Sequence, residues 1–98
     1  MGDILMARYL YPNGKVGQIE QTFEAGQEVT TLICQKEKVQ DFKGLVKIGV
    51  VAAPGTMMEI NGARIKISPS GCYELDNTVL IYSFKFPDGA EAMIDYVI

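Results

Sequence analysis

The sequence predicts an all-β protein, a single-domain antiparallel β-sandwich or small barrel spanning residues 1–98, on three observations. Reversal signals such as Pro54-Gly55, Pro69-Ser70-Gly71 and Pro87-Asp88-Gly89 recur about every 8–12 residues, the cadence of such folds. The runs between them are short, apolar and rich in β-branched and aromatic residues. One pair of runs closes on itself. Asn61-Gly62 accepts positive φ at both central positions of a type I′ turn. A two-residue loop there sets Ile60 opposite Ala63, Glu59 opposite Arg64 and Met58 opposite Ile65. Met58, Ile60, Ala63, Ile65 and Ile67 then share one face, with Met57, Glu59, Arg64 and Lys66 on the other.

The remaining elements follow in order. Residues 4–11 read as a strand, Tyr11-Pro12-Asn13-Gly14-Lys15 as a turn and 16–23 as the returning strand. Glu24-Ala25-Gly26-Gln27 reverses the chain into a strand over 29–34, with Val29, Thr31 and Ile33 opposed to Thr30, Leu32 and Cys34. Residues 35–43 are polar and charge-dense. Val39 and Phe42, at i and i+3, fit either a single helical turn ending at Gly44 or a polar loop. An apolar strand over 45–52 leads into the hairpin. Residues 71–75 read as extended, Asp76-Asn77 as a turn, and 79–86 as the longest apolar strand, with Leu80, Tyr82, Phe84 and Phe86 on one face. In 93–98, Ile94, Tyr96 and Ile98 alternate with Met93, Asp95 and Val97. Terminal segments this apolar belong either in the central sheet or in a subunit interface.

Hydrophobic residues make up 48% and charged ones 21%, enough apolar material for one core and too little charge for disorder. The net charge is −3 and the nine Lys and Arg are scattered, so no footprint for nucleic acid emerges. No run approaches the roughly 18 apolar residues of a membrane span. The opening Met-Gly-Asp-Ile-Leu-Met-Ala-Arg lacks a basic leader region, and Met6 stands where a myristoylation signal needs Ser or Thr. Synthesis in the cytoplasm is the expectation. Cys34 and Cys72 then read as small buried hydrophobes more readily than as a disulfide.

Chemistry-bearing patterns are sparse. The chain has no histidine, so Cys34 and Cys72 gain neither a general base nor a closed zinc site. Asn13-Gly14-Lys15-Val16-Gly17 lacks the first glycine and the Ser/Thr of a phosphate loop and reads as a hairpin turn. Glu74, Asp76 and Asn77, or Asp88 and Glu91, lack the ordered spacing of a calcium loop and read as solvated turn residues. Asp95 alternates with Ile94 and Tyr96 and is expected outside, away from any paired-carboxylate cleft. Of Tyr9, Tyr11, Tyr73, Tyr82 and Tyr96, most are expected in the core. No catalytic, cofactor-binding or metal-ligating residue is expected, and no enzyme.

Pro54-Gly55-Thr56, Ile60-Asn61-Gly62, Ile65-Lys66-Ile67, Gly71-Cys72-Tyr73-Glu74-Leu75 and Ile94-Asp95-Tyr96 together resemble a small β-domain of structural proteins from phages and prophages of Gram-positive bacteria. The resemblance spans residues 45–98. It departs at Ala53, where that group has a first proline, and at Ser70, where it has a charged residue. It implies a virion protein made in the host cytoplasm, a tail or baseplate accessory or a capsid decoration protein. Its partners would be further copies and other phage structural proteins. The alternative is a carbohydrate-binding or host-adhesion module, which would meet cell-surface glycans through Tyr11 and Tyr73 beside turn carboxylates.

Overall fold

The computed structural model describes residues 15–98, with backbone alone at Asn77 and Thr78. Its elements are β1 (Val16–Phe23), α1 (Val29–Glu37), β2 (Leu45–Ala52), β3 (Met57–Ile60), β4 (Ala63–Lys66), β5 (Cys72–Ile81), β6 (Phe84–Lys85) and β7 (Ala90–Val97). The strands form two antiparallel sheets, one ordered β1-β7-β2-β5 and one ordered β4-β3-β6. The expected sandwich is what forms, with one short helix added. The strand expected at 4–11 and most of the turn after it lie outside the described residues.

Alternation along each strand builds the core. Ile19, Ile48, Val50, Ile94 and Tyr96 are buried from the larger sheet, and Met58, Ile60 and Phe84 from the smaller. Phe86 joins Phe23 and Phe84 at ring-centroid distances of 5.3 and 5.2 Å in tilted pairs, contacts worth about 0.5–1.5 kcal/mol each beyond their burial. The β3–β4 register is the expected one, with Asn61 and Gly62 at φ 49° and 86°. Its Glu59–Arg64 pair is also present, Oε2 to Nε 3.9 Å. β7 lies between β1 and β2 and buries Ile94, Tyr96 and Ile98. The C-terminal run therefore belongs to the central sheet, with Ile94, Tyr96 and Ile98 on its inner face.

Three expectations are corrected. Residues 29–34 are not a strand but the first two-thirds of α1. Val29, Leu32 and Ile33 stand at i, i+3 and i+4, and tertiary packing of that stripe outweighs the β propensity of Val, Thr and Ile. The helix stops well before Gly44. Lys38 adopts the left-handed conformation (φ 56°, ψ 45°), and the N–H of Val39 donates to the carbonyl of Cys34 at 3.3 Å in a Schellman closure.

The turn expected at Asp76-Asn77 is instead inside β5. Leu45 pairs with Ile81 and Lys47 with Asp76, so Val46 alone faces four residues of β5, and the turn chemistry is absorbed as a bulge.

The strand expected over 79–86 breaks at Tyr82-Ser83, where the chain leaves one sheet for the other. The break shifts the alternation by one. Ile81, Phe84 and Phe86 are buried, whereas Leu80 and Tyr82 are exposed. Asn61 holds the corner: its Oδ1 accepts from Tyr82 N–H (3.0 Å) and Ser83 N–H (3.1 Å), and its Nδ2 donates to the Leu80 carbonyl (2.9 Å). Glu28 braces the other side, accepting from Ser83 Oγ (2.7 Å) and Phe84 N–H (3.2 Å).

Candidate functional site

The outer face of the larger sheet is read off the strand registers. Gln18, Asp95, Gly49 and Glu74 form one row across β1, β7, β2 and β5. Val16, Val97, Lys47 and Asp76 form the row on one side of it, and Glu20, Met93, Val51 and Cys72 the row on the other. Gly49 has no side chain to fill its place, so a hollow of about 600 Å³ opens between Asp95 and Glu74. Gln18 Nε2 donates to Asp95 Oδ1 at 2.7 Å along one rim. Lys47 Nζ stands 3.9 Å from Asp76 Oδ2 along another. Counting Glu91, five carboxylates share this face with a single ammonium among the described residues, so its field is negative.

Asp95, Glu74, Asp76 and Glu91 are thus solvated residues of a sheet face, as expected for Asp95. Among the described residues no group of three metal-ligating side chains converges. The smaller sheet has the opposite character. Arg64, Lys66 and Lys85 surround Glu59 there, with Lys85 Nζ 3.8 Å from Glu28 and 4.0 Å from Glu59.

A second cluster ties the helix to the larger sheet. Tyr96, buried, donates its phenol hydrogen to Glu37 and accepts from Lys36 Nζ at 3.1 Å. Lys36 also lies 5.6 Å from the ring centroid and 3.5 Å from Glu37 Oε2, while Lys15 Nζ donates to the Glu37 carbonyl at 3.0 Å. The Tyr96 hydrogen bond, helped by Lys36, holds the Glu37 carboxyl below its ordinary range against the opposing effect of burial. Burial first, and then Glu37, push the Tyr96 phenol up. The phenol bond likewise raises the Lys36 ammonium. At neutral pH the set is carboxylate, neutral phenol and ammonium, a lock in which every polar end is satisfied.

The tyrosines and cysteines divide differently from expectation. Tyr96 is core, Tyr73 is half-buried on the inner face opposite Val50, and Tyr82 is 63% exposed. Tyr9 and Tyr11 lie outside the described residues. Cys34 is half-buried and Cys72 exposed, both free thiols, because helical and outer-face positions put them beside solvent and not in the core. An open groove of about 460 Å³ runs between α1 and the Tyr82 corner. Strand reasoning missed it. The available signal was the spacing of Thr30 with Cys34 and Thr31 with Gln35, each i to i+4 and so on one helical face. Comparisons with protein-family models, curated proteins and solved structures give no match.

Proposed function

We propose that the protein is a non-catalytic structural component of a phage virion, a tail or baseplate accessory or a capsid decoration protein, working through contacts between its own copies. The observation that carries this reading is the segregation of charge between its two sheet faces. The outer face of the larger sheet is acidic, whereas that of the smaller sheet carries Arg64, Lys66 and Lys85 against Glu59 and the adjoining Glu28, a small positive excess. Two acidic faces brought together would set carboxylates against carboxylates, which costs association energy. The acidic face of one copy against the basic face of the next is complementary, and such a heterologous contact closes rings or propagates stacks. The resemblance over residues 45–98 points the same way.

Light scattering and sedimentation across protein and salt concentration test it. Self-association that weakens as salt rises, and that Glu74→Lys with Asp95→Lys abolishes, is the expected result. Adding Arg64→Glu with Lys66→Glu protein to that variant should restore mixed assemblies. A monomer insensitive to salt that also fails to sediment with particles from the encoding phage would overturn the reading. Lysine at Ile94 or Ile98 is unsuitable as a probe, since both side chains are core and the fold itself would fail.

A further inference from the structure

We propose that the groove between α1 and the β5–β6 corner binds a neutral saccharide, with a sugar ring stacked on Tyr82. The groove combines two aromatic rings, Tyr82 and Phe42, with the amides of Gln35 and Gln40 and the hydroxyl of Thr31. Among the described residues none of the side chains lining it is charged. A face of aromatic carbon beside neutral donors and acceptors matches a sugar, whose apolar C–H face lies against a ring while its hydroxyls meet amides. It does not match a phosphate or carboxylate ligand, which would call for cations. The volume of about 460 Å³ falls in the range of small-molecule clefts.

The second argument is preorganisation. Tyr82 is 63% exposed, yet the backbone beneath it is fixed by both Asn61 and Glu28. A large apolar ring on an immobile corner contributes contact area with little ordering cost on binding. Opposite it, Thr31 and Gln35 are one helical turn apart on α1, and that helix end is locked by Tyr96–Glu37. The groove thus has two stiff walls. Its lining shares no residue with the charged rows of either sheet, so substitutions can separate saccharide binding from self-association.

Because the chain has five tyrosines and no tryptophan, tyrosine fluorescence reports on ring contacts without interference, and amide NMR supplies the map. The probes are chitotetraose, cellotetraose, maltotetraose and mannotetraose, with heparin as the anionic control. At least one tetrasaccharide at up to about 10 mM should shift the Gln35 and Gln40 side-chain amides and quench tyrosine emission, and heparin should not. Tyr82→Ala should weaken that binding by about tenfold or more while leaving the circular dichroism spectrum unchanged. Tyr82→Phe, which keeps the stacking face, should retain it. Glu74→Lys should also retain it, so failure of the assembly reading would leave this one standing. No shift with any tetrasaccharide, shifts that survive Tyr82→Ala, or shifts produced by protein concentration alone would overturn the proposal. The last of these would assign the groove to a second copy.

Discussion

Gly17 and Tyr96 are paired across the β1–β7 ladder, and the tyrosine's phenol occupies the space that any other residue at 17 would need for its Cβ. A Cβ there would lie 2.5 Å from the ring's Cζ and 2.8 Å from Glu37 Oε2. Gly17→Ala must therefore push the ring off Glu37 and loosen α1, with an expected loss of about 1–3 kcal/mol in urea unfolding. Gly49→Ala is the control. Its Cβ would meet only Asp95 Cβ at 3.9 Å, an ordinary contact, and relief of glycine's entropy should leave the fold equal or about 0.5–1 kcal/mol more stable.

Asn61 performs two tasks, taking positive φ in the hairpin turn and clamping the Leu80–Ser83 corner. Asn61→Gly separates them, since glycine keeps the turn and loses the clamp. Three hydrogen bonds vanish and two backbone N–H groups need new partners, so a loss of about 1–3 kcal/mol is expected. Hydrogen exchange at Tyr82 and Ser83 should accelerate with it. A melting midpoint equal to that of the wild type would show that the clamp contributes nothing.

Legibility in the sequence tracked the range of the interactions. The β3–β4 register was readable because two turn residues and four flanking positions decide it. The bounds of β1 and β2 were readable because turn residues bracket them, Asn13-Gly14 and Glu24-Ala25-Gly26-Gln27 around β1 and Gly44 and Pro54-Gly55 around β2. Helix α1 was not, since a short run such as Val29-Thr30-Thr31-Leu32-Ile33 satisfies a strand period and a helix period alike. The corner at Tyr82 depends on Asn61 and Glu28, which are distant in the chain, and no local pattern announces a clamp of that kind. The groove required both, and the helical spacing of Thr30 with Cys34 and Thr31 with Gln35 could mark only one of its walls. The acidic face was half legible: alternation placed Asp95 outside, but only the strand order set it beside Gly49 and Glu74.

Lys38 closes α1 in a backbone conformation that costs an L-residue strain and suits glycine. Lys38→Gly should raise stability by about 0.5–1 kcal/mol through relief at the Schellman position. Thermal melting measures it. A lower melting temperature would mean that the lysine side chain contributes more than its backbone costs.

The Tyr96–Glu37 lock sets two limbs of pH dependence. The folded Glu37 titrates below its ordinary 4.5, so its contribution is complete above that value and drains as pH falls through the folded pKa. The folded Tyr96 titrates above its ordinary 10.0, so its contribution is complete below that value and drains as pH rises toward the folded pKa. Glu37→Gln removes the carboxylate from both, and its melting temperature should vary less steeply with pH at each end. Parallel curves for variant and wild type would exclude the lock as a source of pH sensitivity.

The central place of β7 has a consequence for how the chain acquires its structure as it is made. Both β1 and β2 take β7 as neighbour, and β7 is the last strand of the sequence. The larger sheet stays incomplete until residues 90–97 exist: β2 can pair with β5 earlier, but β1 joins the sheet only through β7. During synthesis the β3–β4 hairpin, whose contacts are all local, is free to form and β2 can take β5, while the edges of β1 and β2 that face β7 wait unpaired. Crowding of nascent chains should thus be most hazardous just before β7 emerges, when those edges can still pair with a neighbour's.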